Sequence, residues 1–156
     1  TANSRVFPEL YRSGRIRLEL VPQGTLAERI RAGGAGIPAF YTPSAVGTPL
    51  AEGKETRSFG GREYLLEQAI VGDVALIKGR MADTHGNVVY RKTARNFGPI
   101  MAMAAKTTVV QVESIVEAGR IDPEVVVTPG IFVDRVVEVA RPAHESDLVE
   151  AGVSYP

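Results

Sequence analysis

Gln23 and Gly24, in the run V-P-Q-G-T, are the residues of this chain best placed to meet an anion or a carbonyl group. They fall between an alternating apolar stretch at residues 16–20 and a helical pattern that begins near Thr25. A glutamine amide offers both donors and an acceptor without carrying charge. The unsatisfied N–H groups of a helix's first turn favour negative charge. In open α/β sheets, ligands bind outside the carboxyl ends of the strands. Spacing alone also fits a solvated turn glutamine beside glycines that only cap, and P-Q-G-T is no general motif.

Other reactive types are sparse. His85 and His144 lie far apart in unlike contexts, and a turn histidine such as His85 is ordinarily solvated. No histidine–carboxylate pair has helical spacing, so a zinc site is not expected. Neither G-x-S-x-G nor a Walker loop occurs. G-G-A-G at residues 33–36 follows a helix rather than opening one, which does not indicate a Rossmann site. Glu113 ends a β-branched run and has the position of a nucleophile or base, although edge or turn charge is the commoner role there. Lys78, Arg80, Arg91, Lys92 and Arg95 form a basic segment that suits phosphates or, by default, solvent.

The elements that must position these groups follow from periodicity. Ile16, Leu18 and Leu20 alternate with charged residues, which predicts a strand ended by Pro22. Thr25 and Glu28 have capping-box spacing, with Thr25 as N-cap, and Gly33–Gly34 would stop the helix. Residues 37–41 read as a strand closed by Thr42-Pro43. Before this unit, residues 3–14 predict a short helix, with Ser4, Val6, Leu10 and Tyr11 on one face and Gly14 ending it. After it, residues 44–61 read as a loop with a strand near 55–59, and Tyr64–Leu66 are compatible with another. Residues 73–78 have the look of a strand buried on both faces. Residues 82–87 read as a hairpin turn, with 88–90 returning. Pro99 suits the first turn of a helix over 96–106. Residues 107–112 read as a central strand, 119–129 as turns, 131–139 as a last strand, and the segment from Ala140 as a surface extension. The alternation predicts an α/β domain on mainly one open, mixed, mostly parallel sheet with flanking helices.

Composition bounds the function. The 156 residues suffice for one domain, and 44% of them are apolar, which argues against general disorder. Lysine plus arginine equals aspartate plus glutamate at 18 each, so no net charge points to nucleic acid or an anionic membrane. The absence of cysteine excludes thiolate chemistry and disulfides within these residues and fits a reducing compartment. No apolar run approaches the ~20 residues of a membrane span. The N-terminus resembles neither a signal nor a transit peptide, and without a methionine Thr1 is expected not to be the translation start.

V-P-Q-G-T-L-A-E-R-I-R-A-G-G-A-G-I-P-A-F-Y-T-P resembles the matching stretch of the α (A) subunits of family I coenzyme A transferases. The run from Asp73 to Glu113 and the late T-P-G-I-F-V-D-R-V-V-E-V extend the resemblance over nearly all of residues 3–139. N-S-R-V-F-P-E-L-Y-R-S-G-R-I, the short loop after F-Y-T-P, and R-N-F-G-P-I-M-A-M-A-A-K-T are most similar to the branch acting on 3-oxoadipate. The succinyl-CoA:3-oxoacid (acetoacetate) branch is the alternative.

The resemblance implies a CoA-transferase α-subunit fold and transfer of CoA from succinyl-CoA to a 3-oxo acid. It implies a nucleophilic glutamate in an S-E-N-G motif of a β subunit, within a heterodimer or heterotetramer. No S-E-N-G occurs here, and neither does the family's early G-G-F-type turn. The expectation is therefore an N-terminally incomplete domain at 1–139 with an extension at 140–156, cytoplasmic, with no catalytic nucleophile of its own. Coenzyme A would be substrate, with no permanently bound cofactor or metal. By resemblance Gln23 orients the acyl or carboxylate group, Gly24 and Gly36 let backbone approach the substrate, and Phe40 and Tyr41 wall the pocket. Two other classes compete. A sugar-phosphate isomerase-like enzyme would need an acid–base pair that is not visible, and a scaffold subunit would need none.

Overall fold

A computed structural model describes residues 6–141. The chain divides at Leu20/Val21, inside the stretch expected to form one domain: residues 21–140 make one compact unit, and residues 6–20 with Arg141 belong to another. Ser4 and the residues after Arg141, including His144, lie outside the described residues.

In the smaller unit, helix α1 spans Val6–Arg12. Arg15 N–H donates to Leu10 O and Gly14 N–H to Tyr11 O, with Gly14 at φ +68°. This is a Schellman stop, which glycine makes without steric cost. Residues 17–20 are not a strand, contrary to their alternation. Leu18 and Leu20 are 45% and 63% exposed. Alternation yields a strand only where a neighbouring ladder takes up the backbone groups, and the described residues supply none here.

In the larger unit, helix α2 (Gln23–Gly34) opens and the antiparallel strands β1 (Ala39–Thr42), β2 (Thr56–Phe59) and β3 (Arg62–Gln68) follow, in the order β1-β3-β2. Gly60 and Gly61, at φ +57° and +78°, make the tight β2–β3 turn, where both central residues need positive φ. The buried Glu67 fixes α2 on this sheet: Lys54 Nζ lies 2.5 Å from its carboxylate and Arg29 Nε 4.0 Å. Arg29 Nε also donates to Gln68 O at 2.7 Å.

Strands β4 (Gly72–Lys78), β7 (Ala105–Val112) and β9 (Arg135–Glu138) form a wholly parallel sheet with β7 central, as its β-branched run predicts. Between β4 and β7 the chain makes the hairpin β5 (Met81–Asp83) and β6 (Val88–Val89), then a 3₁₀ turn at Lys92–Arg95 and helix α3 (Gly98–Met103). β8 (Ser114–Val116) runs parallel to β5. The α/β class is as expected, but the described strands are shared among three small sheets rather than concentrated in one.

The core is built from Ala75, Ile77, Ala82, Val88, Tyr90, Ala102, Val110 and Val112. It lies on one face of the parallel sheet. The other face leaves Val74 and Leu76 at 57% and 73% exposure, so β4 is not buried on both sides as its apolar run suggests. A continuous apolar run shows that a strand can be covered twice, not that it is.

The glycines expected to stop α2 lie inside it. A Cβ on Gly33 would fall 2.0 Å from Ile70 O, and one on Gly34 2.6 Å from Met103 Cβ. They let β3's exit and α3 touch the helix backbone. The stop is Gly36 at φ +71°, with Ile37 N–H bonding Ala32 O and Gly36 N–H bonding Gly33 O. The capping box is absent too. Pro22 (φ −55°, ψ 138°) is the N-cap and offers no side-chain cap, so the helix begins two residues before Thr25 reaches it. Thr25 is buried in the first turn, its hydroxyl unpartnered among the described residues, and Glu28 pairs with Arg31 at 2.7 Å.

Candidate active site

Gln23 is the first residue of α2 and lines a cavity of about 320 Å³ with the carboxyl-terminal half of β4 and the turn leading into α3. Leu76 and Lys78 come from β4, Arg95 and Asn96 from the turn, and Met101 from α3. The expected placement, a helix amino end against a strand's carboxyl end, is thus realised with β4 instead of residues 16–20. Because no side chain caps α2, its first-turn N–H groups remain directed at whatever fills the space beyond them. Gly24 is exposed beside Gln23, and a Cβ there would meet nothing within 4 Å.

Lys78 and Arg95 stand out of the basic segment because they share the cavity with the Gln23 amide. Both are exposed, and neither makes an ion pair among the described residues. Asn96 has φ 36° and ψ −122°, a conformation that costs a non-glycine residue of order 1–3 kcal/mol. Among the described residues, none lining the cavity is an aspartate or a glutamate. Its chemistry is therefore that of donors and positive charge around a pocket with no built-in nucleophilic carboxylate.

The other residues assigned by resemblance are not brought to this cavity. Gly36 lies past the far end of α2, about 18 Å away at 1.5 Å per residue. Phe40 and Tyr41 are on β1 in the antiparallel sheet. Tyr41 packs edge-to-face on Phe59 with ring centroids 5.3 Å apart, its hydroxyl bonds Glu55, and the Arg57 guanidinium stands 5.2 Å over its ring. The resemblance groups these residues with Gln23. A three-turn helix separates them.

Glu113 is exposed just beyond β7, its N–H bonding Arg80 O, and it lines neither this cavity nor the next. His85 is an exposed turn residue beside a second cavity, of about 350 Å³, that also touches Asp83, Asp134 and Arg135. The acids there are occupied. Asp134 accepts from Thr108 N–H at 2.6 Å. Asp83 accepts from His85 N–H, Asn87 N–H and the Asn87 amide at 2.8–3.0 Å, fixing the β5–β6 turn. No three histidine, aspartate or glutamate residues are grouped to hold a metal among the described residues.

Burial works against the Asp83 charge, yet the hydrogen bonds from Asn87 and His85 prevail and hold its carboxyl below the ordinary range. Its stabilisation is thus present above the unfolded-state value near about pH 3.9 and is lost as pH falls through the lower folded value. Asp83→Asn should lower the urea midpoint near neutral pH. The gap from the parent should close as the pH falls below about 4, and a gap constant with pH would mean that the Asp83 charge contributes nothing.

The family model for coenzyme A transferase matches residues 1–139. The chain belongs to the coenzyme A transferase family. It is 60% identical over 145 residues to the A subunit of 3-oxoadipate CoA-transferase from Pseudomonas putida, which covers 93% of this chain and 63% of that protein. It is also 60% identical over 134 residues to the A subunit of a probable succinyl-CoA:3-ketoacid coenzyme A transferase from Bacillus subtilis (strain 168), covering 86% and 56%. The chain thus spans less than two thirds of either relative. Among solved structures, an acyl-CoA transferase from Escherichia coli O157:H7, in a thioester complex with CoA, superposes with TM-score 0.79 at 25% identity, over 86% of this chain and 32% of that one. Glutaconate coenzyme A-transferase from Acidaminococcus fermentans, at 23% identity, shares the fold with TM-score 0.78 over 86% of this chain and 50% of its own. No helix among the described residues is long and apolar enough to cross a membrane.

Proposed function

We propose that this coenzyme A transferase chain is part of an α-type (A) subunit that moves CoA from succinyl-CoA to a 3-oxo acid, together with a β-type (B) subunit carrying the nucleophile. One observation carries the reading most: amides and cations converge on a cavity with no carboxylate among its described lining residues. Covalent CoA transfer needs a carboxylate nucleophile. A cavity whose described polar side chains are amides and cations suits the complementary half of that reaction.

The chemistry assigns the parts. A glutamate supplied by the β partner attacks the thioester carbon of succinyl-CoA, forming an acyl-glutamyl anhydride and expelling CoA thiolate. The thiolate attacks the glutamyl carbonyl of the anhydride, leaving an enzyme–CoA thioester and succinate. The 3-oxo acid's carboxylate then takes the acceptor role by the reverse sequence, and CoA leaves on the new acid. Each addition places negative charge on a carbonyl oxygen, which fixed donors stabilise more than they stabilise the ground state. Gln23 and the uncapped first turn of α2 are the donors in this chain for that oxygen.

Relatives named for 3-oxoadipate and for 3-ketoacids are equally identical to the chain. The stretches at 3–16, after F-Y-T-P and at 95–107 favour 3-oxoadipate as the acceptor. A reaction on CoA thioesters would place the enzyme in the cytoplasm. The test is reconstitution of the full-length α chain with its β partner, following consumption of succinyl-CoA with 3-oxoadipate or acetoacetate. Transfer is expected from the pair and not from either chain by itself, faster to 3-oxoadipate. Transfer by the lone α chain would end this reading. A faster rate with acetoacetate would move only the acceptor.

A further inference from the structure

Resting on that reading, we infer that Lys78 and Arg95 together bind the distal carboxylate of the dicarboxylic acyl group, and so select succinyl over monocarboxylic thioesters. Three observations carry this. Lys78 closes β4 and Arg95 closes the 3₁₀ turn before α3, so two separate elements bring their cations to the rim of one cavity with Gln23. Neither cation is neutralised: no described acidic group pairs with either, although Lys54, Arg31, Arg57 and Lys106 all have acidic partners. The turn that presents Arg95 is held in uncommon backbone conformations on both sides of it, Lys92 at φ 52° and Asn96 at φ 36°. Strain of that kind persists where surrounding structure enforces a geometry.

The anion is identified by reach. In succinyl-CoA the free carboxylate lies only two methylenes from the thioester carbonyl. The phosphates lie beyond the whole pantetheine arm. If the Gln23 amide meets the reacting carbonyl, a cavity of about 320 Å³ holds the acyl group and its carboxylate but not the nucleotide. An arginine fork and a lysine point charge suit a carboxylate that is already ionised. Leu76 and Met101 supply apolar wall for the intervening methylenes.

The test uses the full-length α chain in complex with its β partner, comparing the parent with Lys78→Gln/Arg95→Gln. KM for succinyl-CoA is expected to rise tenfold or more while the inhibition constant of free CoA moves less than twofold. A Lys78→Arg/Arg95→Lys variant should recover most of the lost KM, because it keeps both charges. If KM and the CoA constant rise together, the cations serve the phosphates and the inference is overturned. If neither moves, they are solvated charges and it is equally overturned. If the charge-preserving variant is as impaired as the neutral one, their role is structural, and that too overturns it. A parent complex that transfers CoA from no thioester would instead remove the proposed function, and this inference with it.

Discussion

Gln23→Ala in the assembled enzyme should lower kcat for CoA transfer by about 10²-fold, with a much smaller change in KM, because loss of one well-placed oxyanion donor costs about 2.7–4 kcal/mol of transition-state stabilisation. Pro22 sets the start of α2 and provides no cap, so Gln23 stands at the first helical position, exposed at the cavity edge. Its amide has no hydrogen-bond partner among the described residues. It is therefore available to a substrate oxygen without first giving up a protein contact. Gln23→Glu separates the two contributions that the amide makes. It keeps size and reach but replaces a donor by a like charge facing the developing oxyanion, and it should be at least as damaging as Gln23→Ala. Steady-state rates with succinyl-CoA and single-turnover formation of the enzyme–CoA thioester read the effect at the chemical step. Unchanged thioester formation in Gln23→Ala would remove Gln23 from the oxyanion role.

The parts of this site that are legible in sequence are those set by local chemistry. A strand-like run followed by a helical pattern sets Gln23 beside a helix amino end, although the expected start is Thr25 and the observed one is Gln23 itself. β4, β7 and the β5–β6 turn are likewise local: apolar runs, β-branching and the D-T-H-G-N cluster specify them, and they form within a residue or two of expectation. What is not legible depends on which elements meet. Residues 16–20 alternate as a strand does, but no ladder among the described residues receives them. Thr25 and Glu28 have capping-box spacing, yet the helix begins earlier and the box cannot close. Gly36, Phe40 and Tyr41 sit close to Gln23 in sequence and at the opposite end of α2 in space. Lys78 and Arg95 are seventeen positions apart, and only the path through the hairpin and the 3₁₀ turn brings them to one cavity. Asn96 gives one faint signal, since asparagine tolerates positive φ better than most residues.

Gly33→Ala should destabilise the protein by about 3 kcal/mol or more, a large part of the 5–15 kcal/mol that holds a typical domain folded. The added methyl carbon would sit 2.0 Å from Ile70 O and 2.8 Å from Ile70 C, both backbone atoms. No rotamer change relieves a clash between two main chains. Nor can Ile70 simply withdraw, because its N–H donates to Arg29 O of the same helix at 2.9 Å, and the Arg29 side chain holds Gln68 O just before it in the chain. Any relief must move α2 as a body, which drags Gln23 out of the cavity at its other end. Gly33→Ala should therefore lose transfer activity even in molecules that remain folded. Gly24→Ala provides the opposite sign within the same helix. Open space surrounds that position, and replacing a helical glycine by alanine is favourable by about 0.5–1 kcal/mol. Urea unfolding of both variants should shift in opposite directions. A Gly33→Ala midpoint equal to the parent's would mean that α2 does not lie against Ile70, and the cavity built on that contact would have to be redrawn.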